Sequence, residues 1–61
     1  MKQYYVLTVF HYDTLLYCFD TLNLLFNFIK YRCDVEDSFY IERKWLSEKM
    51  MKTLRIDYIT K

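Results

Sequence analysis

The spacing of hydrophobic positions changes along the chain. In QYYVLTVFHY, residues 3–12, β-branched and aromatic residues dominate; a two-residue period puts Tyr5, Leu7 and Val9 on one face and Tyr4, Val6, Thr8 and Phe10 on the other. Apolar residues on both faces predict a central strand, or a strand with its second face against a partner. Asp13 and Thr14 carry short polar side chains that bond nearby amides and mark a turn. Residues 15–19 then return as the second strand of a hairpin.

The period next becomes helical. Leu22, Leu25, Phe26, Ile29 and Cys33 recur at i, i+3, i+4, i+7 and i+11, a stripe about 100° wide at 100° per residue. Asp20 and Thr21 offer side-chain oxygens to cap the first amides, and Lys30 and Arg32 suit the negative end of the helix dipole. Leu24, Phe28 and Tyr31 cluster on nearly the opposite side, with Thr21 and Arg32 on the flank between. A small sheet covers one side of a helix. The second cluster is therefore expected to be a partner-binding surface, unless another sheet segment or a C-terminal helical turn covers it within the monomer.

After the polar break CDVED, residues 38–44 alternate Phe39 and Ile41 against Tyr40 and Glu42 as a third strand. Ser47 caps a helical turn over residues 47–53, in which Leu46, Met50, Met51 and Leu54 share a side. A terminal strand alternating Leu54, Ile56 and Tyr58 follows. The expected architecture is α+β over residues 1–61 as one domain: an N-terminal hairpin and one main amphipathic helix packed on a small antiparallel sheet, with a C-terminal helical turn and strand.

Composition narrows the function classes. A 61-residue chain hides only about 60% of its unfolded surface, so its own core is small and self-association as a homodimer is expected to supplement it. Two cysteines are too few for a disulfide-stapled scaffold, and MKQYYVLTVFHYD has no small-residue cleavage site; the expected location is the cytoplasm, with both thiols reduced. The stretch around residues 15–29 is too short and too interrupted by Asp20, Asn23 and Asn27 to span a membrane. The net charge of +1 provides no strong field for nucleic acid. Gly, Pro and Ala are absent while Phe, Tyr, Ile, Asn and Lys abound, a bias toward A/T-rich codons that fits phages and mobile elements of low-GC bacteria.

Catalytic chemistry is hard to assemble from these residues. His11 is the one histidine, and convergence of His11, Cys18, Cys33 and Asp34 on a metal has no support from spacing. Cys33, at a helix C-terminus, lies at the wrong pole to stabilise a thiolate. Asp34, Glu36 and Asp37 read as a solvated turn, and no glycine-rich phosphate loop exists. No enzyme activity, metal or cofactor is expected. Two binding readings remain. One is a non-catalytic inhibitor of a host enzyme or defence complex, phage- or mobile-element-encoded and of the anti-CRISPR kind, contacting its target through Leu24, Phe28 and Tyr31. The other is a nucleic-acid-binding accessory protein that stacks Trp45 and pairs Arg43, Lys44, Lys49, Lys52 and Arg55 with phosphates.

Overall fold

The computed structural model describes residues 1–33 and 36–60. Its elements are β1 (Lys2–His11), β2 (Asp13–Phe19), α1 (Leu22–Arg32), β3 (Ser38–Leu46), α2 (Glu48–Leu54) and β4 (Asp57–Ile59). They form the expected α+β arrangement around one four-stranded sheet of order β3-β1-β2-β4. β1 pairs antiparallel with both neighbours, whereas β4 runs parallel to β2, so the sheet is mixed where all-antiparallel pairing was expected.

Both helices are crossovers. α1 carries the chain from β2 over β1 to β3, and α2 carries it back from β3 to β4. Crossovers between parallel strands are nearly always right-handed, and these two travel in opposite directions; one hand for both puts the helices on opposite faces of the sheet. That topology explains why β1 is apolar on both sides. Leu7, Val9 and Phe19 pack with Leu25 and Phe28 of α1, while Tyr4, Val6, Cys18 and Leu46 pack with Met51 of α2 and Ile56.

The hairpin turns one residue earlier than Asp13 and Thr14 suggest. His11 lies opposite Asp13, and Tyr12 alone makes the reversal with φ 59°. The reason is register: centring the turn on residue 12 pairs Leu7 with Tyr17 and Val6 with Cys18, so Tyr17 and Phe19 face α1 and Cys18 faces α2. An odd shift would exchange the two faces.

α1 is capped by Thr21, whose Oγ1 accepts from the Leu24 amide at 3.3 Å. Its inward direction differs from the stripe read on the helical wheel. Leu25 and Phe28 are buried and Leu24, Ile29 and Cys33 half-buried, while Leu22 and Phe26 face out at 40% and 55% exposure. The two apolar clusters are shoulders of one broad stripe centred on the flank of Thr21 and Arg32. The partner-binding expectation is corrected accordingly: Phe28 and Leu24 are spent on the core, and Tyr31 alone of the three stands exposed. The sheet makes the choice. Phe28 sets its ring 4.5 Å from Tyr17 and 5.4 Å from Phe19, and Arg32 covers its other side.

At the C-terminal end Ser47 Oγ accepts from the Met50 amide at 3.2 Å, as its position before α2 predicts. Arg55 ends the helix in the left-handed region (φ 56°, ψ 44°), and the Ile56 amide donates to the Met51 carbonyl at 2.8 Å. Leu54 therefore belongs to α2 and not to the last strand. Of the residues expected to share one inward side, Leu46 and Met51 are buried, and Met50 and Leu54 are exposed.

Candidate interaction surface

β3 is an edge strand of nine residues, and it is the least covered part of the sheet. From Ser38 to Trp45 every residue is exposed except Glu42, which is half-buried; only Leu46 is buried. Direct antiparallel partners point to the same face, so Phe39, Ile41, Arg43 and Trp45 share the α1 face with Val9, Leu7, Tyr5 and Gln3. Tyr40, Glu42 and Lys44 share the opposite face with Thr8, Val6 and Tyr4.

α1 sits over β1 and β2 and leaves β3 as an open ledge. The contacts of Phe28 with Tyr17 and Phe19 place that side of the helix over β2. Its other flank, carrying the exposed Leu22 and Phe26, consequently overlooks β1 and the ledge. Phe39, Ile41 and Trp45 on the strand and Leu22 and Phe26 on the helix thus border one apolar step, each between 38% and 60% exposed. Arg43 lies within the ledge and is held down. Its guanidinium stacks 4.7 Å from the Tyr5 ring centroid and donates to the Tyr5 hydroxyl at 2.9 Å.

The residues suggested for nucleic-acid contact split across the sheet, with Arg43 and Trp45 on one side and Lys44, Lys49, Lys52 and Arg55 on the other. Arg43 and Trp45 point to the α1 face, Lys44 to the other, where its ammonium pairs with Glu42 at 3.0 Å. Lys49 and Lys52 lie on α2 and Arg55 at its C-cap, on the far side of the sheet from Trp45. The two-residue period of β3 separates residues that are neighbours in the sequence. The ledge residues Leu22, Phe26, Phe39 and Ile41 were read from the sequence as core or as plain strand, because nothing in an alternating pattern says which strand ends a sheet.

The chemistry-bearing side chains are spread over distinct places. His11 and Asp37 form a pair, an ion pair when the imidazole is protonated, in a concavity of about 290 Å³ that Cys33, Arg32, Tyr17 and Phe28 also line. Cys18 lies across the sheet in the other cluster, so the two cysteines cannot bridge and the imagined convergence of Cys18 with His11 and Cys33 does not occur. Asp34, the fourth member of that set, lies outside the described residues. Among the described residues no group of three or more His, Cys, Asp or Glu side chains is arranged to hold a metal. Burial pushes the Cys18 thiol up to about 11, reinforced by Asp20 and Asp57.

A second polar cluster ties the strand ends together. Lys2 Nζ donates to Asp20 Oδ1 at 2.7 Å, and the Tyr58 hydroxyl donates to Asp20 Oδ2. These bonds hold the Asp20 carboxyl below the usual carboxylate range and raise Lys2 and Tyr58 above theirs. The network joins β1, the end of β2 and β4. Its geometry is that of a clasp; open grooves lined by Lys2 on one side and by Tyr58 on the other lie beside it.

Among the described residues no helix is long and apolar enough to cross a membrane. No family model, curated protein or solved structure matches the chain.

Proposed function

We propose that this protein is a non-catalytic protein-binding module whose contact surface is the β3 ledge, acting as an inhibitor that occupies a surface of a host enzyme or defence complex. One observation carries the reading: Phe39, Ile41 and Trp45 of β3, with Leu22 and Phe26 of α1, form an exposed apolar step around a pinned arginine on a chain whose polar chemistry is otherwise dispersed. Aromatic residues and arginine in one patch are the composition of protein interfaces, and contiguous apolar area on so small a protein marks a contact site. The A/T-rich codon bias gives the proposal its concrete form, a phage- or mobile-element-encoded inhibitor of the anti-CRISPR kind. Trp45 and Arg43 stand across the sheet from Lys44, Lys49, Lys52 and Arg55, and this separation of the indole from most of the cations favours a protein target over a stacked single strand.

The test places a photo-crosslinking residue at Phe26 or Trp45, with Asn23 on the exposed side of α1 as control, in host cells producing the protein. The reading predicts one dominant adduct with a foreign protein from positions 26 and 45 and none from position 23, and loss of host-enzyme inhibition in a Phe26→Lys variant that keeps its circular dichroism. Equal labelling from all three positions overturns it. So does tight, salt-sensitive oligonucleotide binding that Lys49→Glu or Lys52→Glu abolishes.

A further inference from the structure

We infer that the outer edge of β3 is closed by a second copy of the chain, in an antiparallel two-fold pairing with Ile41 on the axis, giving an eight-stranded sheet across the dimer. The inference rests on the reading that β3 is a contact strand, but it concerns the backbone edge in the plane of the sheet, where the function proposed above concerns the face.

The first observation is the edge itself. Among the described residues β3 pairs on one side only, with β1, over Lys2–Phe10 and Ser38–Leu46, and its other side leaves alternate amides and carbonyls without a strand partner along about 30 Å. The opposite edge of the sheet is β4, three residues long. Natural edges of such length are usually guarded by proline, a bulge or outward-reaching charge. β3 has no proline and pairs with β1 in unbroken register, and its three charges are engaged locally: Arg43 on Tyr5, Lys44 on Glu42.

The second observation is charge complementarity, which selects one register. A two-fold axis normal to the sheet keeps each face on its own side, so the residue on the axis meets itself and residues equidistant from it pair. Glu42, Arg43 or Lys44 on the axis would each set like charges directly opposite, which is destabilising. Tyr40 on the axis leaves Arg43 to Leu46 unpaired. With Ile41 on the axis, seven residues pair: Ile41 with Ile41, Tyr40 with Glu42, Phe39 with Arg43 and Ser38 with Lys44, the last three twice each, and no like charges stand opposite. Phe39 then offers its ring to a guanidinium and Tyr40 its hydroxyl to a carboxylate.

The third is area. A compact monomer of 7.7 kDa has about 4,300 Å² of accessible surface, and this chain has 4863 Å². The excess is close to what one subunit contributes to the smaller stable interfaces, about 600 Å². Pairing two copies also sets their ledges side by side on one face of the continuous sheet, so a single trough between two α1 helices would be offered to the target.

The register makes the test specific. Sedimentation equilibrium of the wild type is expected to give a dimer at micromolar concentration. Tyr40→Glu, which sets carboxylates opposite Glu42 at two symmetric places, weakens it by roughly tenfold or more, while Tyr40→Lys leaves it equal or tighter. Position 40 is exposed, on the face opposite the ledge, so both variants keep fold and ledge. Oxidation of Ile41→Cys in a Cys33→Ser background gives a covalent dimer, and Glu42→Cys or Arg43→Cys in the same background gives little. A strict monomer for the wild type at millimolar concentration overturns the inference, as does a dimer indifferent to the sign of charge at position 40. If the chain is monomeric yet crosslinks its target from positions 26 and 45, only the dimer fails; if it dimerises as described and those positions label nothing foreign, only the proposed function fails.

Discussion

The rotation of α1 is open to a direct energetic test, because two phenylalanines on the same helix, two residues apart, occupy opposite environments. Phe28 is 7% exposed and Phe26 is 55% exposed. On an aromatic side chain of about 200 Å² that difference amounts to about 100 Å² of ring surface, or roughly 2.5 kcal/mol at about 25 cal/mol per Å². Phe28→Ala also opens a cavity between Tyr17 and Phe19 and forfeits both ring contacts, so its total cost is placed at about 3–5 kcal/mol. Phe26→Ala should cost about 1 kcal/mol or less. The contrast is decisive because a chain of this length has only roughly 3–9 kcal/mol to lose. Urea titrations followed by far-ultraviolet circular dichroism would find the Phe28→Ala chain largely unfolded, or with its midpoint far below wild type, and Phe26→Ala near wild type. Equal losses, or a greater loss at Phe26, would refute the assigned helix face and with it the position of the ledge.

Three further outcomes follow from local geometry. The Asp20 clasp contributes to the pH profile of stability: the lowered carboxyl contributes above its ordinary range and is lost as pH falls through its depressed value, whereas raised Lys2 and Tyr58 contribute up to their ordinary range near 10 and are lost above it. Thermal melts should therefore show a plateau from about pH 5 to 9 whose acid shoulder flattens in Asp20→Asn; an unchanged acid limb would show that the clasp is not populated. Cys18, buried with its thiol raised to about 11, should resist a disulfide reagent at pH 8 until denaturant is added, and rapid modification in the native state would contradict its burial. Arg55→Gly removes a β-carbon from a left-handed position and should raise stability by about 0.5–1 kcal/mol; a decrease would show that the Arg55 side chain matters more than its backbone conformation.

Much of the architecture was legible in the order of periodicities. Two-residue alternation, then Thr21 before an 11-residue helix, then Ser47 before a second, are local signals, and local hydrogen bonds at 3.3 and 3.2 Å realise them. The apolar character of both faces of β1 was likewise visible, and it means what burial on two sides requires, a central strand with a helix on each face. By itself, then, the sequence determined the elements, the caps, the α+β class and the surplus of apolar side chains over what one small core absorbs.

Three matters were decided by tertiary structure alone. Which arc of α1 turns inward depended on the rings of Tyr17 and Phe19 beneath it, since a stripe as broad as Leu22 to Tyr31 is nearly as apolar in several directions. Whether Arg43, Lys44 and Trp45 stand together depended on the pleat, which sends consecutive residues to opposite faces. Which strand is left at the edge depended on strand order, a consequence of two crossovers of one hand that no local pattern encodes. The helical wheel alone points the surplus to Leu24, Phe28 and Tyr31. Packing consumes the first two and delivers the surplus instead to Phe26, Phe39, Ile41 and Trp45, because a helix two strands wide cannot cover the third.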